Sequence, residues 1–150
     1  MHGTVEMGTL FLDPNAFLRE HLTEEALAAH GSAPSVVGHV HLSVGDVATA
    51  RDFYVDRLGF DLTTSFGGQA IFVSAGGYHH HMAMNVWRSA GAGRRMPALG
   101  LGQVDIAVPD ADELGATAER LRHYGLDPRD DGRTLELDGP WGTRIRLASA

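Results

Sequence analysis

The feature that most constrains the fold of this chain is an internal repeat. The stretch "GHVHLSVGDVATARDFYVDRLGFDL" at residues 38–62 aligns with "GQVDIAVPDADELGATAERLRHYGLDP" at residues 102–128. Each copy opens with Gly-x-Val, alternates into a valine, turns at an aspartate and continues with a helical period. The next segments also correspond, "QAIFVSAGG" (69–77) with "RTLELDGPWG" (133–142), and an alternating run follows each. Each copy therefore predicts the order strand–helix–strand–strand–strand.

Two such copies in tandem predict an α+β protein. We expect the two βαβββ units to form one curved eight-stranded mixed sheet around a cleft. The first unit spans residues 38–88 and the second spans residues 101–148, within a single module at residues 38–150. Residues 1–37 stand outside the repeat and are predicted to be an N-terminal extension with a short helix.

Composition excludes several classes of protein. The formal net charge is −7 without a basic run, which argues against a nucleic-acid partner. The chain has no cysteine, so disulfides, thiolate metal sites and cysteine nucleophiles are excluded. No apolar run approaches the roughly 20 residues of a membrane span, and no secretory signal is readable. We therefore expect a cytoplasmic protein without a membrane partner.

The opening strand of the first copy places two histidines on one face. Alternation along "GHVHLSV" puts His39, His41 and Ser43 together, while the apolar residues between them face the helix. Two histidines at positions i and i+2 of a strand can bind a metal ion through their imidazole nitrogens. His39 and His41 are the predicted metal ligands, and a polar cleft lining without a metal is the alternative.

A histidine triplet lies in "GGYHHHMAMNVW" at residues 76–87. Alternation places His80 on one face with Met82, and His80 aligns with Arg144 in the repeat. His80 and Met82 are therefore predicted to face the cleft. Tyr78 could donate a hydrogen bond to a phenolic ligand. The alternative is a histidine cluster in water at the end of a strand.

These features resemble the vicinal oxygen chelate superfamily, which includes glyoxalases, bleomycin-resistance proteins and extradiol dioxygenases. "GHVHLSV", "YHHHMAMNVW" and an upstream "MGT" (residues 7–9) are most similar to the C-terminal module of two-module catechol 2,3-dioxygenases. The resemblance implies that a divalent metal, Fe(II) or Mn(II), binds vicinal oxygens of a small aromatic or oxygenated molecule. It also implies an acid/base role for His80, whose unperturbed pKa near 6.5 suits proton transfer. If "MGT" corresponds to the inter-module connection, an N-terminal module is missing from this chain.

The resemblance places metal ligands on the first and last strand of each unit, at His39, Met82, Gln103 and Arg146 in this sequence. Gln103 is a poor ligand, and Asp105 on the same face could substitute for it or pair with an arginine. Arg146 stands where the family carries its carboxylate, and a guanidinium cannot bind a metal. Arg144 and Arg146 would instead favour an anionic ligand or pair with Asp105 or Glu136. Met82, Gln103, Asp105, Arg144 and Arg146 are therefore predicted to be ligand-binding residues.

Three interpretations follow from this ligand set. A partner chain with a second module could complete the metal site. An unusual set drawn from His39, His41 and His80 or Asp105 could hold the metal. Alternatively, no metal binds, and the cleft sequesters a small molecule as bleomycin-resistance proteins do. We favour a protein related to extradiol dioxygenases and leave open whether the chain is an enzyme by itself. A homo-oligomer, or pairing with a second module, is expected in each case.

Overall fold

The predicted repeat is present in the structure, a computed structural model that describes residues 8, 10–29, 31–32 and 36–150. Met7 and Thr9 of "MGT" lie outside the described residues. Both copies form the βαβββ unit, and two helices precede them. The elements are α1 (Pro14–His21), α2 (Glu24–Ala28), β1 (Val40–Ser43), α3 (Val47–Arg51) continued by a π-helical segment (Asp52–Arg57), β2 (Asp61–Phe66), β3 (Ala70–Ser74), β4 (Met82–Asn85), β5 (Gln103–Val108), α4 (Ala111–His123), β6 (Arg129–Asp130), β7 (Thr134–Asp138) and β8 (Arg144–Ser149).

The two units have the same sheet topology. The strand order is β1-β4-β3-β2 in the first sheet and β5-β8-β7-β6 in the second. The first strand of each unit pairs in parallel with the last, and the other pairings are antiparallel. The α+β class and the mixed sheets are therefore confirmed. The single eight-stranded sheet is not: strand pairing within the described residues gives two four-stranded sheets, and a cleft is lined by both β1 and β5.

Each unit's helix begins at an aspartate in the turn after its first strand, as the sequence predicts. The Asp46 carboxylate accepts a hydrogen bond from the backbone N–H of Thr49 at 2.7 Å. The Asp110 carboxylate accepts one from the N–H of Glu113 at 2.9 Å. Such caps satisfy amide groups that have no partner within the helix. They therefore define where each helix begins.

One face of each sheet packs against the helices in a shared apolar core. Leu42 and Met84 of the first unit and Ile145 and Leu147 of the second belong to the same buried cluster. Arg120 on α4 joins the two units: its guanidinium donates to the carbonyl oxygens of Arg57 and Leu58 at 3.1 and 2.8 Å. The opposite faces of the sheets are therefore free to carry polar side chains.

The N-terminal extension carries two short helices rather than the one predicted. Asp13 caps α1 by accepting from the N–H groups of Asn15 and Ala16, and Thr23 caps α2. Neither helix contains a buried residue. Among the described residues, no helix has the length and apolar character needed to cross a membrane.

Candidate metal centre and adjoining cleft

Three histidines meet on the face of the first sheet that is turned away from the helices. His39, His41 and His80 each offer a ring nitrogen, and these three atoms lie within 4.8 Å of one another. The ring centroids of His39 and His80 are 4.5 Å apart, and those of His39 and His41 are 4.9 Å apart. Imidazole nitrogens at this spacing could hold a divalent metal ion.

The chain brings the three histidines together in two different ways. His39 immediately precedes β1 and His41 lies within it, so alternation puts both on one face, as predicted. His80 lies ahead of β4, in a bend, and strand alternation does not control its direction. The neighbouring His81 fixes this bend, because its N–H donates to Val73 O and its carbonyl accepts from Val40 N.

His80 is the most buried member of the cluster and lacks polar partners. His80 is only 5% exposed, and neither its Nδ1 nor its Nε2 has a hydrogen-bond partner. Burial, followed by the positive charges of His39 and of other nearby histidines, lowers the pKa of His80 to about 4. Burial and then His39 also lower the pKa of His41. Both imidazoles are thus neutral at pH 7, which is the form that binds metals.

An apolar floor supports the histidines. Ala70, Phe72 and Ala83 form a second buried cluster, separate from the main core. The Phe72 ring meets those of His80 and His41 edge-on, at centroid distances of 5.2 and 6.2 Å. Phe72 is not among the site residues that the sequence predicts. The available signal was its alternation with Ile71 and Val73, which pack in the main core.

Two further residues predicted to be at the site lie elsewhere. Met82 is 2% exposed in the main core, together with Met84, on the side of the sheet opposite the histidines. Its predicted position on the cleft face differs from the structure because the strand alternation begins after His81. Tyr78 is exposed, and its ring lies against those of His79 and His81, at 4.2 and 4.7 Å between centroids.

The equivalent face of the second sheet carries ion pairs. Gln103 donates from Nε2 to both Asp105 oxygens, at 3.1 and 2.9 Å, and Arg146 Nη1 donates to Asp105 Oδ1 at 3.2 Å. The hydrogen bond from Gln103, and then that from Arg146, lower the pKa of Asp105. Arg146 also lies 3.6 Å from Glu136, which pairs with Arg129. The predicted pairing of Arg146 with Asp105 and Glu136 is therefore present.

Arg144 also forms an ion pair with a carboxylate. Its Nε lies 3.3 Å from Asp138, whose other oxygen accepts from Arg94 at 2.6 Å. The hydrogen bond from Arg94, and then that from Arg144, lower the pKa of Asp138. Asp138 is shared by Arg94 and Arg144, so one positive charge of this group is left uncompensated, whereas the carboxylates beside Arg146 match its charge.

A cleft of about 750 Å³ separates β1 from the start of β5. The loop between the units forms much of its wall, a role that its glycines and proline did not indicate in the sequence. Trp141 Nε1 donates to Ala92 O at 2.8 Å, and Arg95 Nη2 donates to Ser43 O at 2.8 Å, so both anchor this loop. The lining includes His41, which places the histidine cluster at the edge of the cleft.

Comparison with known proteins agrees with this architecture. Residues 36–145 match the model of the Glyoxalase/Bleomycin resistance protein/Dioxygenase superfamily. The chain is 35% identical over 144 residues to a catechol-2,3-dioxygenase of Bacillus subtilis (strain 168), in a match that covers 92% of this chain and 48% of that protein. The chain thus spans about half the length of this curated relative.

Solved structures support the same fold. A lactoylglutathione lyase from Agrobacterium tumefaciens superposes with a TM-score of 0.56 at 17% identity, covering 78% of this chain and 95% of that one. A mutant of the fosfomycin resistance protein FosX from Listeria monocytogenes, complexed with Mn(II) and 1S,2S-dihydroxypropylphosphonic acid, gives a TM-score of 0.57 at 13% identity, covering 79% of this chain and 94% of that one. The repeated βαβββ units and the family match together show that this chain belongs to the Glyoxalase/Bleomycin resistance protein/Dioxygenase superfamily, the vicinal oxygen chelate proteins.

Proposed function

We propose that this chain is a metal-binding protein related to extradiol ring-cleaving dioxygenases and that His39, His41 and His80 hold the metal. The observation that carries the proposal is the meeting of three ring nitrogens within 4.8 Å around a buried His80 whose nitrogens have no partner. A buried polar atom without a partner is costly, and a metal ion would satisfy one of the two ring nitrogens of His80. Three imidazole nitrogens suit Fe(II) better than Mn(II), which favours oxygen donors. The set corresponds to the second of the three interpretations of the sequence.

The ligand is proposed to be a small aromatic molecule with vicinal oxygens. The 35% identical relative is named a catechol-2,3-dioxygenase. When bound, the metal would supply a Lewis-acidic charge and open positions for two ligand oxygens. Three neutral imidazoles leave the charge of a divalent ion uncompensated, which favours an anionic ligand such as a catecholate.

The other residues of the site would shape the space around that ligand. Phe72 and Ala83 exclude water from beneath the histidines. Gln103, Asp105, Arg144 and Arg146 are proposed to form a polar wall, since their charges are held by one another and by neighbouring side chains. Tyr78 is proposed as a hydroxyl donor at the rim. The acid/base role of His80 is the alternative to its role as a ligand.

We also propose that the chain pairs with a second module, either as a homo-oligomer or with another chain. The relative that it matches is about twice as long, and that length leaves room for a second module of this size. A cytoplasmic location stays a prediction.

Metal analysis of protein purified without a histidine tag tests the proposal. We expect one Fe(II) or Mn(II) per chain after anaerobic loading, and at least about a hundredfold weaker binding in His39→Ala, His41→Ala and His80→Ala, because each removes a ligand. His123→Ala, on the exposed end of α4, is the matched control and should bind as wild type.

Oxygen uptake with catechol then separates the roles of His80. If His80→Ala keeps the metal but loses turnover, His80 acts in proton transfer and not as a metal ligand. No metal binding under any condition would overturn the proposal, and tight binding of catechol by that metal-free protein would support sequestration.

A further inference from the structure

The N-terminal arm, residues 10–29 with both helices, carries large apolar side chains that nothing covers within the described part of the chain. These side chains are between 47% and 93% exposed. Seven large apolar side chains exposed within residues 10–27 are more than scattered surface residues account for, and such a concentration marks an interaction site. We call it the arm surface, and its residues are Leu10, Phe11, Leu12, Phe17, Leu18, Leu22 and Leu27.

The arm contains sequence signals that begin its two helices. Asp13 and Thr23 cap its two helices, and Pro14 occupies the first turn of α1, where its missing N–H has no cost. The match to the longer relative covers 92% of this chain, so it must include most of the segment ahead of residue 36. The arm is thus shared with a protein that has room for a second module.

A complementary surface lies on the loop between the two units. Trp87, Met96, Leu99 and Leu101 are between 52% and 105% exposed there. Within residues 87–101 the charged side chains are three arginines, whereas residues 10–29 contain four carboxylates and one arginine. Arg94 is already paired with Asp138, so Arg88 and Arg95 carry the uncompensated positive charge of the loop. The arm and the loop therefore match in apolar character and are opposite in charge, which favours their association. We call the second patch the loop surface.

We propose that the arm of one copy docks on the loop surface of a second copy, in a reciprocal exchange. Within a single chain α1 and α2 bury no residue, although the loop surface is present in that same chain. A two-fold pair would cover both arms with the same contact used twice, which is the commonest closed arrangement of identical chains. This inference rests on the proposed pairing of modules and does not depend on a metal.

The exchange would also complete the cleft. Met96, Leu99 and Leu101 belong both to the loop surface and to the cleft lining beside His41. An arm docked on them would cover the outer wall of the cleft with a neighbour's apolar side chains. The ligand site of each copy would therefore include residues of the other.

A pair of matched full-length variants tests the docking. Leu18→Glu places a charge on the arm surface, whereas Ala16→Glu introduces the same charge two positions away, on the opposite side of α1. We expect the wild type to be a dimer by sedimentation, Leu18→Glu to dimerise about a hundredfold more weakly because two contacts are lost, and Ala16→Glu to behave as wild type. A monomeric wild type, or equal dimerisation of both variants, would overturn the proposal.

Crosslinking identifies which copy supplies the arm. Because the chain has no cysteine, single-cysteine variants Leu18→Cys and Leu99→Cys can be mixed and treated with a short bis-maleimide. We expect a covalent heterodimer, and much less of it when Ala16→Cys replaces Leu18→Cys. If the double variant at high dilution crosslinks only within one chain, the arm docks on its own module and the exchange is wrong. Metal content measured on the same samples separates this result from the fate of the metal site.

Discussion

Acidification should destabilise the metal-free protein through His80. The pKa of His80 in the folded protein is about 4, mainly because the side chain is buried, against 6.5 in an unfolded chain. Between these values the unfolded state binds more protons than the folded state, so stability falls as pH falls from 6.5 towards 4. Above about pH 7.5 both states are essentially neutral, and His80 contributes little pH dependence.

The size of the effect follows from the two pKa values. At pH 5 the difference in protonation corresponds to a loss of about 2 kcal/mol, since one pKa unit is worth about 1.4 kcal/mol. Salt screens the charges of the surrounding exposed histidines, which reduces their share of this value. We therefore expect about 1–2 kcal/mol between pH 7.5 and pH 5.

Urea unfolding of wild type and His80→Leu at both pH values measures this difference. We expect the pH dependence to be smaller in His80→Leu by the stated amount, whatever the absolute stability of the variant. His123→Leu makes the same replacement at an exposed site and should keep the wild-type pH dependence. Equal pH dependence in wild type and His80→Leu would refute the reasoning. Bound metal should add stability at pH 7.5 and less at pH 5, because protons compete for the ligands.

Two further predictions concern the arginines. Arg120→Ala should lower the free energy of unfolding, measured in urea, by about 2–3 kcal/mol, because two carbonyl acceptors at the junction of the units lose a charged donor. Arg122→Ala removes only a surface ion pair and should cost less than about 0.5 kcal/mol. Similar losses in the two variants would contradict the role of Arg120 at the junction. Arg146→Glu should destabilise the protein at neutral pH by bringing a third carboxylate to Asp105 and Glu136, with a deficit that shrinks as the pH falls towards 4. A deficit independent of pH would point to packing rather than charge.

The sequence predicted the unit but not how the two units meet. The repeat encodes hydrophobic alternation and helix caps, which are local, so the βαβββ order and the caps at Asp46 and Asp110 followed from it. The repeat does not encode whether β1 and β5 pair, because that depends on contacts between the units. Trp141 and Arg95 anchor the loop between the units beside the cleft through contacts 49 and 52 residues apart in sequence. No local pattern reports such contacts.

Local alternation also predicted part of the candidate site, but only where a regular strand continues. Alternation placed His39 and His41 correctly because they flank or occupy a regular strand. It failed for the residues around the triplet, because the bend before β4 changes the register: His80 turns to the other two histidines, while Met82 turns into the core. Phe72 escaped notice because β3 is apolar on both faces, so only its alternation with Ile71 and Val73 indicated the face that it occupies.

The position of the histidines has a consequence for how the first sheet opens. β1 is an edge strand, and edge strands are the first to fray. His39 and His41 belong to this edge, whereas His80 belongs to a segment anchored on β3 through the bond from His81 N to Val73 O. An ion held by all three would therefore act as a removable cross-link between the edge and the interior of the sheet, closing a long loop of chain. Loss of the ion would loosen the strand that borders the cleft, so occupancy of the site and access to the cleft would be mechanically coupled.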